Sequence, residues 1–166
     1  MLFHKKYFFV FIFLLTVFSG FAQDSKFPTT ELKKLDRRKI DSKEILNKEG
    51  YTVISFWATW CKPCILELNA ISDMYEDWTD EMNVQVVAVS IDDARSSSKV
   101  SVFVSSKDWP FEVYLDENSD LKRALNINNI PHSVVVDKDG NVIWQHAGYL
   151  PGDEEILFEK LQTLSK

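Results

Sequence analysis

Two apolar runs, Tyr51–Trp57 and Val84–Ile91, flank a stretch of helical periodicity, and this arrangement restricts the fold more than any other feature of the chain. The first run is rich in β-branched and aromatic residues and reads as a buried strand. The second is almost continuously apolar, the pattern of a strand covered on both faces. Between them Cys64, Leu68, Ile71, Tyr75 and Trp78 recur at spacings of four, three, four and three, which predicts one amphipathic helix with these side chains inward. Strand, crossover helix and second strand pair in parallel.

The remainder extends this unit. Asp24–Thr30 is a polar lead-in containing Pro28, and Glu31–Ile40 carries weak strand signals at Leu32, Leu35 and Ile40 around the turn Asp36-Arg37-Arg38. Asp41 or Ser42 caps a short helix reaching Asn47, and Gly50 ends it. Ser98–Ser106 is a helix with Val100, Phe103 and Val104 on one side, Phe111–Leu115 a short strand, and Ser119–Leu125 a short capped helix. Ser133–Val136 and Val142–His146 flank Asp137-Lys138-Asp139-Gly140, a hairpin signal. Asp153 caps a last helix whose apolar face is Ile156, Leu157, Leu161 and Leu164. The order predicts the α/β class: a mixed central sheet with helices on both faces, the closing hairpin adding antiparallel edges.

The N-terminus reads differently. His4, Lys5 and Lys6 precede an apolar run, Tyr7–Phe18, and Gly20 and Ala22 stand at −3 and −1 of a cut before Gln23. Basic, apolar and small-residue segments in that order make residues 1–22 a secretory signal peptide. The competing reading, an uncleaved anchor, needs ~20 apolar residues, more than this stretch supplies. Residues 23–166 then form one domain, with 17 basic against 25 acidic side chains. With no basic cluster beyond Arg37-Arg38-Lys39, nucleic acid is excluded as a partner. The expected location is extracytoplasmic and periplasmic, membrane-tethered if the segment is retained.

Cys61 and Cys64 are the only cysteines, and they stand where the first strand gives way to the helix. An isolated pair in an oxidising compartment is normally a structural bridge, but one closing so short a loop removes little unfolded-state entropy, which favours chemistry. A structural zinc site needs four ligands; His132 and His146 are distant in sequence and lack finger spacing. The residues therefore point to a thiol–disulfide redox pair that needs no metal and no cofactor. Cys61, just before the helix, is expected to be the more exposed thiol, its thiolate favoured by the unpaired N–H groups of the first turn and by Lys62. Cys64, one turn in on the apolar side, is the resolving thiol. Pro63 occupies the first turn, where its missing N–H costs little.

Phe56-Trp57-Ala58-Thr59-Trp60-Cys61-Lys62-Pro63-Cys64 resembles the active-site strand and turn of the thioredoxin superfamily, and Ile130-Pro131 resembles its cis-proline loop. The resemblance runs from about Phe27 to the C-terminus. Cytosolic-type thioredoxins carry a buried aspartate six residues before the first cysteine, where this chain has Ser55. The exported TlpA/ResA-type group instead has a glutamate three residues after the second cysteine, and Glu67 occupies that place. Ala94–Asp116 has the content of the helix and strand which that group inserts into the fold. The resemblance implies a reductant of protein disulfides, supplied with electrons by a membrane thiol carrier. Cytochrome maturation, one task in the group, is not assigned, because Asn128-Asn129 stand where a glycine is expected and the chain has no Cys-x-x-Cys-His acceptor.

Residue by residue, Glu67 falls on the flank of the helix's buried face, where partial desolvation raises a carboxyl pKa and allows proton exchange with Cys64 or Cys61. Ile130 and a cis Pro131 would present backbone to an extended substrate strand. Trp60 belongs to an exposed docking surface with Lys62 and Pro63, Trp57 to the core, and His132 to packing or capping. Trp109-Pro110-Phe111 is expected to pack on the core. Two rival functions remain: a thiol peroxidase on the same fold, whose Pro-x-x-x-Thr-x-x-Cys pattern is absent, and a copper-handling module using Cys61, Cys64 and a histidine.

Overall fold

The computed structural model describes residues 25–164, so the signal-segment reading of residues 1–22 lies outside the described residues. The strands are β1 (Ser25–Lys26), β2 (Glu31–Lys34), β3 (Lys39–Asp41), β4 (Tyr51–Trp57), β5 (Val84–Ser90), β6 (Glu112–Leu115), β7 (His132–Val136) and β8 (Asn141–Ala147). The helices are α1 (Lys62–Asp73), α2 (Tyr75–Glu81), α3 (Ser97–Val104), α4 (Asp120–Ala124) and α5 (Asp153–Leu164), with a 3₁₀ turn at Ser42–Ile45. All strands join one sheet in the order β1-β8-β7-β4-β5-β6-β2-β3. As the apolar runs require, β4, β5 and β6 are parallel. The closing hairpin β7–β8 adds antiparallel strands beside β4. It is not an outer edge, because β1 pairs with β8 and the β2–β3 hairpin closes the sheet beyond β6.

Alternation along the strands separates two apolar layers. Val53, Trp57, Val86, Ala88 and Val135 pack with Leu68, Ile71, Trp78, Val100, Leu157 and Leu161 from the helices on one face. Ile54, Phe56, Val87, Val89, Val134 and Val136 pack with Phe27, Ile45 and Leu121 on the other. Burial of so many aliphatic side chains, each worth about 1.5–3 kcal/mol, is what holds the sheet between its covers. Gly50 is demanded by contact: a Cβ there would lie 1.8 Å from the carbonyl oxygen of Asn83, the residue leading into β5.

Several expectations needed correction. The single helix predicted after the cysteines is two. At Met74 the backbone N–H turns to Ile71 O (3.2 Å), three residues back, and φ, ψ of −101°, 0° break the α-helical ladder before α2. Trp78 stays fully buried across the break, whereas Tyr75 is only half-buried and rests edge-on against Phe111. The first short helix is the 3₁₀ turn, ended at Ile45 and capped by Asp41 in a reciprocal box with Glu44. Ser119 does not cap α4; its φ is +56°, and the Asp116 carboxylate accepts from the N–H groups of Asp120, Leu121 and Lys122 at 2.7, 3.3 and 2.9 Å. On α5, Ile156 faces solvent, and Phe158 takes its place inward by stacking on Trp78.

Candidate active site

The redox pair sits where β4 runs into α1. The turn Ala58–Trp60 closes with the Cys61 N–H on Ala58 O at 3.0 Å, and Cys61 is the extended residue that precedes the helix (φ −92°, ψ 93°). Cys61 and Cys64 form a disulfide with Cα atoms 5.3 Å apart. Cys61 is 5% exposed and Cys64 fully covered, so the more accessible cysteine is the expected one, though the residue as a whole is buried. Trp60 stands 68% exposed beside it, with Lys62 and Pro63 also at the surface, while Trp57 lies in the core.

The Ile130–Pro131 peptide bond is cis. Phe56 pairs with His132, so Pro131 lies at the end of β7 that adjoins the end of β4 leading to the cysteines. Pro131 is buried and Ile130 half-buried. His132 pairs its Nε2 with Gln145 Oε1 (2.9 Å), and burial, the largest influence, lowers its pKa from the usual histidine value.

Glu67 lies deeper than a helix flank. It is 4% exposed and its carboxylate accepts from two serine hydroxyls on the sheet, Ser55 Oγ at 2.8 Å and Ser133 Oγ at 2.9 Å. Burial pushes its carboxyl up from the usual glutamate range, and the two serine hydrogen bonds pull against that. Ser55, read from the sequence only as the absence of an aspartate, is thus one of the two groups that hold the glutamate.

Asp92 was missed. It is fully buried just after β5 and accepts from the Thr59 N–H (2.8 Å), the Thr59 hydroxyl (2.7 Å) and the Ser90 hydroxyl (2.8 Å). It therefore fastens the turn before Cys61 to the neighbouring strand. The available signal was an acid closing an apolar run, Ser90-Ile91-Asp92. The inserted α3 and β6 lie beside this turn. Trp109 packs edge-on to Trp57 at 5.1 Å and gives its Nε1–H to Asn69, so this segment covers the core. Thr59, Lys99, Val102 and Phe103 line an open groove next to it. His146 pairs with Asp153, and no group of three or more His, Cys, Asp or Glu side chains poised for a metal occurs among the described residues.

Residues 24–145 match the AhpC/TSA family. The chain belongs to this family. Among its AhpC/TSA relatives is "Thiol-disulfide oxidoreductase ResA" of Bacillus cereus, 28% identical over 135 residues, covering 77% of this chain and 75% of the relative. The protein of the same name from Bacillus thuringiensis subsp. konkukian is 30% identical over 121 residues, covering 73% and 67%. Among solved structures, a thioredoxin-like protein from Porphyromonas gingivalis superposes with a TM-score of 0.74 at 39% identity, covering 83% of this chain and 90% of the other. StoA from Bacillus subtilis gives 0.62 at 25% identity, covering 80% and 96%. The thioredoxin-like α/β fold expected from the motif therefore stands.

Proposed function

We propose that this thiol–disulfide oxidoreductase is an exported reductant of protein disulfides, with residues 1–22 as its export signal and residues 23–166 as its working domain. The observation that carries the reading is Glu67, a buried carboxylate one helical turn past Cys64, held by the hydroxyls of Ser55 and Ser133. Cys61, its thiolate favoured by the N-terminus of α1, attacks one sulfur of a substrate disulfide. That S–S bond breaks, a Cys61–substrate disulfide forms and the first substrate sulfur leaves as thiolate. Cys64 passes its proton to Glu67 and attacks Cys61 Sγ; the internal disulfide forms and the second substrate thiolate leaves. Two electrons have moved to the substrate. A membrane thiol carrier resets the pair.

Trp60, Lys62 and Pro63 form the exposed rim on which a substrate docks, and the backbone of Ile130 before Pro131 pairs with an extended segment of it. A peroxidase reading gains no support from Thr59, whose hydroxyl is committed to Asp92. The deciding experiment is Cys64→Ser expressed in its native host. The expected result is extracytoplasmic protein carrying mixed disulfides through Cys61, which vanish in a Cys61→Ser, Cys64→Ser double variant. Cytoplasmic protein, or adducts that survive loss of Cys61, would overturn the reading.

A further inference from the structure

Three adjacent strands place a polar row across the sheet face that packs on α1 and α5. Ser55 on β4 is the direct partner of Ser133 on β7, and Ser133 is the direct partner of His146 on β8. Side chains directly opposite in a ladder point to the same face, so these three share it. The row starts under Glu67 and runs outward: Glu67 is 4% exposed, whereas the His146 side chain is 34% exposed. His146 is therefore the first ring on the row that solvent reaches.

The imidazole is held in place from two sides. Its Nε2–H donates to Asp153 Oδ2 at 3.2 Å, and its plane lies 5° from that of Trp144 with centroids 5.6 Å apart. Asp153 is in turn fixed by the Leu150 N–H at 2.7 Å. We propose that His146 is a positioning residue for disulfide exchange: clamped by Asp153 and Trp144, it acts on the protonation of Glu67 across the sheet face that it shares with Ser55 and Ser133.

The inference rests on the proposed role of Glu67 as acceptor of the Cys64 proton. A protonated ring favours the Glu67 carboxylate, while the Asp153 carboxylate opposes it. The other titratable groups toward Glu67 are the Tyr149 phenol, which donates to Glu154 Oε2 at 2.9 Å, and the Cys61–Cys64 pair on its own helix. No bond is made or broken at His146. The proton leaves Cys64 as the internal disulfide forms, rests on Glu67 and departs to water when the carboxylate is restored.

The experiment measures the pH profile of insulin disulfide reduction, and the ultraviolet thiolate titration of the reduced protein, for His146→Gln and His146→Lys, alone and with Glu67→Gln. The acid limb of His146→Gln is expected to lie roughly half a pH unit above that of His146→Lys, the size expected for one partly screened charge. This separation should disappear in the Glu67→Gln background. Identical profiles for the two single variants would overturn the proposal, as would a separation that persists without Glu67. If Glu67→Gln alone leaves the profile unmoved, the reading of Glu67 itself fails, and the inference with it. Near-ultraviolet spectra of the oxidised variants show whether the surroundings of Trp144, and hence the local fold, are intact.

Discussion

Glu67 and Asp92 are both buried carboxylates beside the same disulfide turn, and they are held in different ways. Asp92 accepts a backbone N–H and two hydroxyls, and it joins Thr59 to the end of β5. Among the described residues, Glu67 accepts only from the hydroxyls of Ser55 and Ser133. A backbone N–H can only donate, whereas a hydroxyl can donate or accept. If Glu67 gains a proton, either serine can rotate and accept it; Asp92 has no such freedom toward Thr59 N–H. One carboxylate is arranged to fasten and the other to exchange.

The largest effect expected from this contrast is at Asp92. Asp92→Ala removes the acceptor of the Thr59 N–H, the Thr59 hydroxyl and the Ser90 hydroxyl and should lower the stability of the oxidised protein by about 3 kcal/mol, read by denaturant unfolding. A loss below about 1 kcal/mol would mean that the turn does not depend on this anchor. Next is Glu67→Gln, where the sign depends on pH. The folded-state pKa of Glu67 is raised, so the folded chain holds more protons than the unfolded one between the two values. Stability from this group therefore falls as pH rises from ~4.3, the unfolded glutamate value, toward the folded one. Glu67→Gln should be more stable than the parent at neutral pH, with the gap closing in acid. A gap that is constant across pH would show that the carboxyl does not titrate as burial requires.

Ser55→Ala gives the smallest change, about 1 kcal/mol of stability, because one hydroxyl donor is lost and the other remains. It should also push the Glu67 carboxyl further upward, visible as an acid limb of the exchange profile moved to higher pH. A downward move would assign the serine the opposite influence.

What was legible in the sequence was what repeats locally. The apolar runs gave β4 and β5, the strand run and helical periodicity on either side of the cysteines gave the strand-to-helix junction, and Asp137–Gly140 gave the hairpin. The break at Met74 was hidden because Trp78 keeps its inward phase across it. The residue that caps α4 was not legible because Ser119 is left-handed and makes no side-chain cap, while the carboxylate of Asp116 reaches in from the end of β6. The partners of Glu67 were hidden for a different reason. Ser133 lies 66 residues away and meets the glutamate only through sheet register. Nothing in the composition of either segment announces the other.

The pairing of β1 with β8 has one more consequence. Ser25 meets Val142, near the hairpin turn, whereas Pro131 adjoins the other end of the same ladder, past the pairing of His132 with Ala147. Five residues of extended strand, about 17 Å, separate these two poles. The described chain thus enters the sheet at the pole opposite the disulfide. The exposed Trp60 stands beside the cysteines at the other pole.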